Sequence, residues 1–239
     1  QHTLLHLIRY KGENIRMEQL DKTYCEGWVQ YLAHAKTIGT DVPMRGEHHE
    51  KDLAKGTARL YFNTFVTVLN EAVREGIIPK NPTKLLKKEE RKMLSKQESK
   101  RCYLSIEEIK LLMVTPCKAD TVKCAFLFAC FCGLRLSDVR SLRWADIGKG
   151  TEGYYISKQM VKSRHVVTIP LSENALAWMP ARGQARVEDK VFSLPSYFSV
   201  NYRMKQWARE AGIEKPVTFH TSRHTFATTL LTMGVDLYT

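Results

Sequence analysis

The stretch from residue 120 to residue 147 constrains the fold more than any other part of the chain. Its first part reads DTVKCAFLFACFC, which is apolar on nearly every face of a helix. A helix of this kind is stable only when other elements surround it, so the stretch predicts the centre of a core. Gly133 ends the predicted helix, and Ser137 is the predicted N-cap of the next one.

The six cysteines indicate packed thiols rather than disulfides or metal ligands. None of them shows the CxxC spacing typical of zinc or redox sites, and several lie in apolar runs. The pair at positions 130 and 132 falls within the apolar helix, where packing is the simplest role. We therefore expect reduced, buried thiols in a cytoplasmic protein and no metal site. The pair His48 and His49 is predicted to lie in a solvated loop.

Residues 1–85 show helical periodicity and form the first predicted domain. The segments 17–35 and 56–76 carry apolar side chains at three- and four-residue spacings, and their aromatic residues are predicted to be core. Pro79 and Pro82 prevent a further helix, because proline lacks the N–H donor. A length of 239 residues leaves room for a second, larger domain.

A charged segment separates the two predicted domains. Residues 84–101 contain eight basic and three acidic side chains, so we expect an exposed basic linker, residues 86–101, rather than a packed element. The second predicted domain, residues 102–239, opens with Ser105 and Glu108, whose spacing is that of a capping box.

The second domain contains one segment with a strand pattern. In residues 153–171, two runs rich in valine, isoleucine and tyrosine flank the polar tip VKSRH, which predicts a β-hairpin. Other segments, such as SENALAWM and SYFSVNYRMKQWAREAGI, have helical patterns. The predicted fold class is therefore mainly α with a small β-hairpin or sheet.

The charge of the chain favours a polyanionic partner. Lys and Arg number 37 against 25 Asp and Glu, and the isoelectric point is near 9.4. A lysine-rich surface that only aids solubility is the alternative explanation of the same composition. No apolar run has the length of a membrane span, and the first residues lack a signal-peptide core, so we expect no membrane association.

Three short motifs carry the candidate chemistry. Arg135 follows the buried helix and needs an anionic partner there, which is either a ligand or Asp138. Lys162 lies at the hairpin tip, where a lysine alone indicates only a soluble surface. His220 and Arg223 lie three residues apart at a helix start, so they face the same way, beside N–H groups that favour a phosphate. A packed core histidine is the alternative for His220.

These motifs, in this order, resemble the tyrosine recombinase (phage integrase) family. The matching stretches are CGLRLSDVRSLRWADI, QMVKSRHVVTIPLS and FHTSRHTFATTLLTMGVDLY, and their style is most similar to the integrases of conjugative transposons. In the first half, TARLYFNTFVTVLNEAVREGIIPKNP resembles the end of the family's helical core-binding domain. The resemblance implies a SAM-like, helical core-binding domain followed by a mixed α/β catalytic domain.

The resemblance also implies a reaction and a role for each matching residue. In this family a DNA phosphodiester is transferred to a protein tyrosine, which gives a 3′-phosphotyrosine and a free 5′-hydroxyl, without a cofactor. Arg135 and Arg223 match the two arginines that bind the phosphate, and Lys162 matches the lysine that protonates the leaving 5′-oxygen. His220 matches the histidine that assists proton transfer, and Asp138 matches the acidic residue that orients the first arginine. Site-specific recombination, for integration or excision of a mobile element, is the implied function.

Duplex DNA is the implied partner, enclosed by the two domains. A full-length protein is expected to form a tetramer on paired sites, and this chain alone is expected to be a monomer. The expected location is the bacterial cytoplasm, in association with the nucleoid. Further DNA contacts are predicted at exposed basic positions, namely Lys55, Arg59, Lys100, Arg101 and Arg164.

The tyrosine nucleophile is expected roughly thirty residues beyond Arg223, which lies past Thr239. Tyr238 is too close to match it. The chain is therefore expected to lack both the second His or Trp and the nucleophile, and to bind DNA without cleaving it. A shortened chain, an unordered segment or an inactive natural remnant would each explain this. Two other functions stay open, a regulator that uses LSDVRSLRW as a helix-turn-helix and an enzyme similar to type IB topoisomerases.

Overall fold

The structure, a computed structural model, describes residues 1–38, 51–95 and 102–235, and the chain divides into two compact units, Gln1–Ser99 and Lys100–Thr239. Within the described ranges, no helix is long and apolar enough to cross a membrane, and no group of three or more His, Cys, Asp or Glu side chains could hold a metal ion. The residues of the sequence analysis that lie outside the described ranges are His48, His49, Lys100, Arg101 and Tyr238.

The first unit is helical. The Asp21 carboxylate caps its second helix by accepting a hydrogen bond of 2.7 Å from the Tyr24 N–H. Short 3-10 turns at Met17–Gln19 and Pro82–Leu85 connect the helices. The helices are α1 (His2–Lys11), α2 (Lys22–His34), α3 (Lys55–Arg74) and α4 (Lys88–Lys92).

Aromatic residues of α2 and α3 form the core of the first unit, as the periodicity predicts. Trp28 is fully buried, stacks on Tyr31 at 5.5 Å between ring centroids and contacts Phe65. His6 of α1 is also buried, and its Nδ1 lies 3.2 Å from the Tyr31 hydroxyl oxygen. Leu60, one of the apolar residues of the segment 56–76, is an exception to the predicted core, because this residue is 61% exposed.

The prediction of an unpacked linker is wrong for residues 84–95. Leu86 and Leu94 are buried in the core of the first unit. Arg91 of α4 donates a hydrogen bond of 2.7 Å to the Thr83 carbonyl. The charged residues of this segment stay at the surface while its leucines pack inward, so the count of charges concealed an amphipathic element.

The second unit combines helices with a small antiparallel sheet. The sheet has the strand order β1-β2-β3, and β2 pairs with both neighbours. The mainly helical architecture with a small sheet agrees with the prediction. Strand β1 was not predicted. The elements are α5 (Ile106–Val114), α6 (Asp120–Cys132), α7 (Leu136–Ser141), β1 (Ile147–Gly150), β2 (Gly153–Gln159), β3 (Val166–Pro170), α8 (Glu173–Ala177), α9 (Tyr197–Glu210) and α10 (Phe219–Thr232).

Helix α6 is the centre of the second unit. It contacts α8, α9 and α10, and Phe126 packs edge-on against Trp207 and Phe219 at 6.1 and 5.8 Å between centroids. Cys130 and Cys132 are free and buried, and burial raises the pKa of Cys132 to about 12. The predicted buried helix with packed thiols is confirmed.

The turn between α6 and α7 differs from the prediction. Gly133 ends α6 in the left-handed conformation, with φ of 68°. Helix α7 begins at Leu136 with Arg135 as its N-cap residue, so the prediction that Ser137 is the N-cap is wrong. Leu136 is buried and anchors the first turn, and this packing outweighs the capping preference of serine. The stretch LSDVRSLRW thus forms one helix of six residues rather than a helix pair.

Candidate active site

Four predicted site residues meet on one side of the second unit. Arg135 lies in the turn after α6, Lys162 lies in the turn between β2 and β3, and His220 and Arg223 lie in the first turns of α10. The positive charges of Lys162, Arg135 and Arg223 all act on the pKa of His220, which places the four groups within electrostatic range of one another. Residues separated by long stretches of sequence thus form one cationic cluster.

Arg223 is held in place by the turn that carries Arg135. Its Nη1 donates a hydrogen bond of 2.6 Å to the carbonyl oxygen of Gly133, 90 residues earlier in the chain. Burial lowers the pKa of Arg223 and the charge of Arg135 lowers it further, whereas the Asp138 carboxylate acts in the opposite direction. A guanidinium remains charged in proteins, so two arginine charges lie within electrostatic range of each other here.

His220 is exposed, and its pKa is nevertheless lowered. Partial desolvation lowers the pKa first, and the charges of His224, Arg223, Arg135 and Lys162 lower it further. Since an ordinary histidine has a pKa near 6.5, the His220 imidazole is mainly neutral at pH 7 and has a nitrogen free to accept a proton. Its ring lies edge-on to His224 at 4.7 Å between centroids. His224 was not singled out as a site residue, although its four-residue spacing from His220 places both on one helix face.

Two lysines of the hairpin have different environments. Lys162 is exposed in the turn. Lys158 of β2 is buried, and its Nζ donates hydrogen bonds of 2.9 Å to the Ser141 carbonyl and to the Asp146 carboxylate. Lys158 therefore joins the sheet to α7, whereas the Lys162 ammonium is free to reach a ligand. The turn closes through Arg164, which has φ of 61°.

Asp138 connects α7 to the hairpin. It is fully buried, and its Oδ1 accepts a hydrogen bond of 2.8 Å from the Val161 N–H, next to Lys162. Its Oδ2 has no hydrogen-bond partner among the described residues. Among the described residues, no ion pair within 4.0 Å joins Asp138 to Arg135. The orientation of Arg135 by Asp138 therefore stays a prediction.

A cavity of about 670 Å³ opens beside the cluster. Arg135 and His220 line one part of it, together with apolar groups such as Phe219. Three further basic residues and a tyrosine line the rest, and sequence reasoning missed all four, because no local pattern relates them; they are Arg140, Arg143, Lys190 and Tyr197.

The other predicted DNA contacts that the structure describes are Arg164 in the second unit and Lys55 and Arg59 in the first. Arg164 is exposed near the cationic cluster on the hairpin turn. Lys55 and Arg59 are exposed at the start of α3 in the first unit. Arg59 lines a separate cleft of about 400 Å³ there, together with other basic residues, namely Lys84, Lys88, Arg91 and Lys92.

Comparisons with known proteins cover nearly the whole chain. Residues 102–239 match the sequence profile described as the phage integrase family, and residues 1–92 match the phage integrase SAM-like domain. A relative in Chlamydia trachomatis serovar L2, tyrosine recombinase XerC, is 26% identical over 209 residues, which are 80% of this chain and 62% of the relative. The chain thus spans about three fifths of the length of this relative.

Solved structures show the same fold at low sequence identity. A lambda integrase (75–356) dimer bound to a COC′ core site has a TM-score of 0.67 and 16% identity, over 97% of this chain and 77% of that one. The Tn1549 transposon integrase (82–397), in complex with circular intermediate DNA, has a TM-score of 0.67 and 16% identity, over 98% of this chain and 80% of that one.

Proposed function

Because this chain belongs to the phage integrase family, we propose that it is part of a site-specific tyrosine recombinase that cuts and rejoins duplex DNA through a 3′-phosphotyrosine. The observation that carries the proposal is the cluster of Arg135, Lys162, His220 and Arg223. In the described residues, none of these four side chains forms an ion pair within 4.0 Å. Such a concentration of positive charge suits an anionic ligand.

The proposed roles follow from the charge that develops during phosphoryl transfer. Attack on phosphorus places negative charge on the non-bridging oxygens, and the fixed guanidiniums of Arg135 and Arg223 stabilise that charge more in the transition state than in the ground state. Arginine contacts of this kind contribute about 10³–10⁵ in rate in other phosphoryl-transfer enzymes. The neutral His220 accepts the proton of the attacking hydroxyl, and the Lys162 ammonium gives one to the leaving 5′-oxygen.

We further propose that the nucleophile is not a tyrosine of residues 1–239. The family spacing places it roughly thirty residues after Arg223, and Tyr197, which lines the cavity, precedes the arginine instead. The chain of 239 residues is then expected to bind DNA without forming a covalent adduct, and to be a monomer in the absence of DNA. Integration or excision of a mobile element, with a tetramer assembled on paired sites, is proposed for the complete protein at the bacterial nucleoid.

DNA binding by the 239-residue chain tests the proposal. Filter binding of a duplex is expected to weaken steeply with salt, because bound cations release counterions from the phosphates. Arg135→Gln and Arg223→Gln should weaken binding. Arg209 is an exposed residue at the C-terminal end of α9, so Arg209→Gln should have little effect. Absence of duplex binding, or binding that salt does not affect, would refute the proposal.

The covalent step needs a separate experiment. A nicked suicide duplex, selected for binding from a random library, traps the protein as an adduct on a denaturing gel. A protein extended beyond residue 239 to the length of its relatives is expected to form this adduct, and its Arg135→Ala variant is not. If the 239-residue chain itself forms it, Tyr197→Phe and Tyr238→Phe identify the attacking oxygen, and the placement of the nucleophile is wrong. Relaxation of a plasmid without exchange between two sites would instead indicate a topoisomerase.

A further inference from the structure

We propose that the cavity beside Arg135 and His220 is a second phosphate-binding site, in which Arg140, Arg143 and Lys190 bind a phosphate that flanks the reacting one on the same DNA strand. This inference rests on the proposed function, because an adjacent phosphate is present only if the substrate is DNA. We refer to Arg140, Arg143 and Lys190 as the flanking cations.

The spacing along α7 separates the two phosphate positions. Arg140 lies five residues after Arg135, which corresponds to about 7 Å along the helix axis. Over that distance the two arginines can each engage a different phosphate. A DNA strand, which carries a charge about every 3.4 Å along its axis, presents separate phosphates over this length. The cavity of about 670 Å³ is lined by both arginines and connects the two positions.

Contacts with backbone carbonyls hold the two arginines of the flanking cations in place. Arg140 Nη1 donates a hydrogen bond of 2.8 Å to the Pro195 carbonyl, and Arg143 Nη1 donates one of 2.6 Å to the Glu188 carbonyl. The backbones of Arg143 and Lys190 pair as an antiparallel bridge. Each guanidinium uses one of its five N–H donors in these contacts, so the others remain for a phosphate. The site is therefore organised before a ligand arrives.

The flanking cations have no direct ion-pair partner among the described residues. Across residues 1–38, 51–95 and 102–235, none of the three forms an ion pair within 4.0 Å. The Asp146 carboxylate accepts from the Arg143 backbone N–H, but its ion pair is with Lys158. Three positive charges around one cavity repel one another, and a bound phosphate reduces that repulsion.

The salt dependence of DNA binding tests the second site. We would measure fluorescence anisotropy of a labelled 30-bp duplex between 50 and 300 mM KCl, with the wild type, Lys190→Gln, Arg140→Gln and the control Arg209→Gln. Each lost phosphate contact should reduce the slope of log K against log salt by about 0.9, which corresponds to roughly eight-fold weaker binding at 0.1 M salt. Arg209→Gln, which removes the same charge outside the cavity, should match the wild type.

The outcomes separate the second site from the proposed function. If the wild type binds the duplex with a steep salt dependence, but Lys190→Gln and Arg140→Gln both keep its slope and affinity, the second site is refuted and DNA binding stands. If the wild type does not bind duplex DNA, both proposals fail. Arg140→Gln also removes the hydrogen bond to Pro195, whereas the Lys190 side chain makes no hydrogen bond within the described residues. Lys190→Gln therefore remains informative if Arg140→Gln melts at a lower temperature.

Discussion

Replacing Gly133 with alanine should destabilise the second unit by about 2–5 kcal/mol. The left-handed backbone at this position, with φ of 68°, costs about 1–2 kcal/mol for a residue that has a Cβ atom. The new Cβ would also lie 2.8 Å from Cε1 of the Phe226 ring and closer still to Cδ1. Overpacking of this kind costs about 1–3 kcal/mol, and the two contributions add.

Gly212 provides the matched control. Its φ is 74°, and no atom lies within 4 Å of the position of an added Cβ. Gly212→Ala should therefore cost only the backbone contribution of about 1–2 kcal/mol. In a Phe226→Leu background, which removes the ring, Gly133→Ala should cost about as much as Gly212→Ala.

Urea unfolding followed by tryptophan fluorescence measures these differences. Three of the four tryptophans, Trp144, Trp178 and Trp207, lie in the second unit, so the signal reports mainly on its unfolding. The reasoning is refuted if Gly133→Ala costs no more than Gly212→Ala. It is also refuted if Phe226→Leu does not reduce the cost. Since the Gly133 carbonyl accepts the hydrogen bond of Arg223, Gly133→Ala should weaken DNA binding as well.

Three further predictions concern single side chains. Lys158→Met should lower the free energy of unfolding by about 1–3 kcal/mol, because it leaves Asp146 without its buried partner, whereas Lys162→Met, at an exposed position, should leave the melting temperature unchanged. Asp138→Ala should cost about 1–3 kcal/mol by leaving the Val161 N–H unpaired, and Asp138→Asn, which keeps an acceptor oxygen, should restore part of that loss in the same melting experiment. The first unit should unfold more easily below pH 6.5, because burial, then the charges of Arg9 and His2, lower the folded-state pKa of His6. The contribution of neutral His6 to stability is complete above its unfolded-state pKa and declines as the pH falls toward the folded-state pKa. Urea titrations at pH 5 and 7.5 measure the free energy of unfolding, and its difference between the two pH values should be smaller in His6→Leu than in the wild type.

Local signals made much of the fold predictable. The continuous apolar run predicted the buried helix α6, since no other environment accommodates such a surface. The spacing of Ser105 and Glu108 predicted a capping box, and the structure shows both of its hydrogen bonds, at 2.7 and 3.2 Å. The change from a helical to a strand pattern around VKSRH predicted the hairpin that carries Lys162.

Features that depend on tertiary packing could not be predicted. The burial of Leu86 and Leu94 was concealed by the charges around them, and β1, which reads IGKG, has no strand pattern of its own. Sequence patterns also could not distinguish the buried Lys158 from the exposed Lys162, because the two lie four residues apart on the same hairpin. The flanking cations come together through a loop that docks on the end of α7, and only the resemblance to a known family selected the residues of the cationic cluster.

The hydrogen bond between Arg223 and Gly133 has a consequence for the synthesis of the protein on the ribosome. Gly133 is translated 90 residues before Arg223, which takes about 5–20 s at ordinary elongation rates. During this interval α6 has left the ribosome without α10, which covers one of its apolar sides in the folded unit. The nascent chain is then most exposed to aggregation and most in need of a chaperone. The same delay keeps a half-made chain from capturing chromosomal DNA with its complete cationic cluster, since the second arginine arrives only with the helix that completes the core.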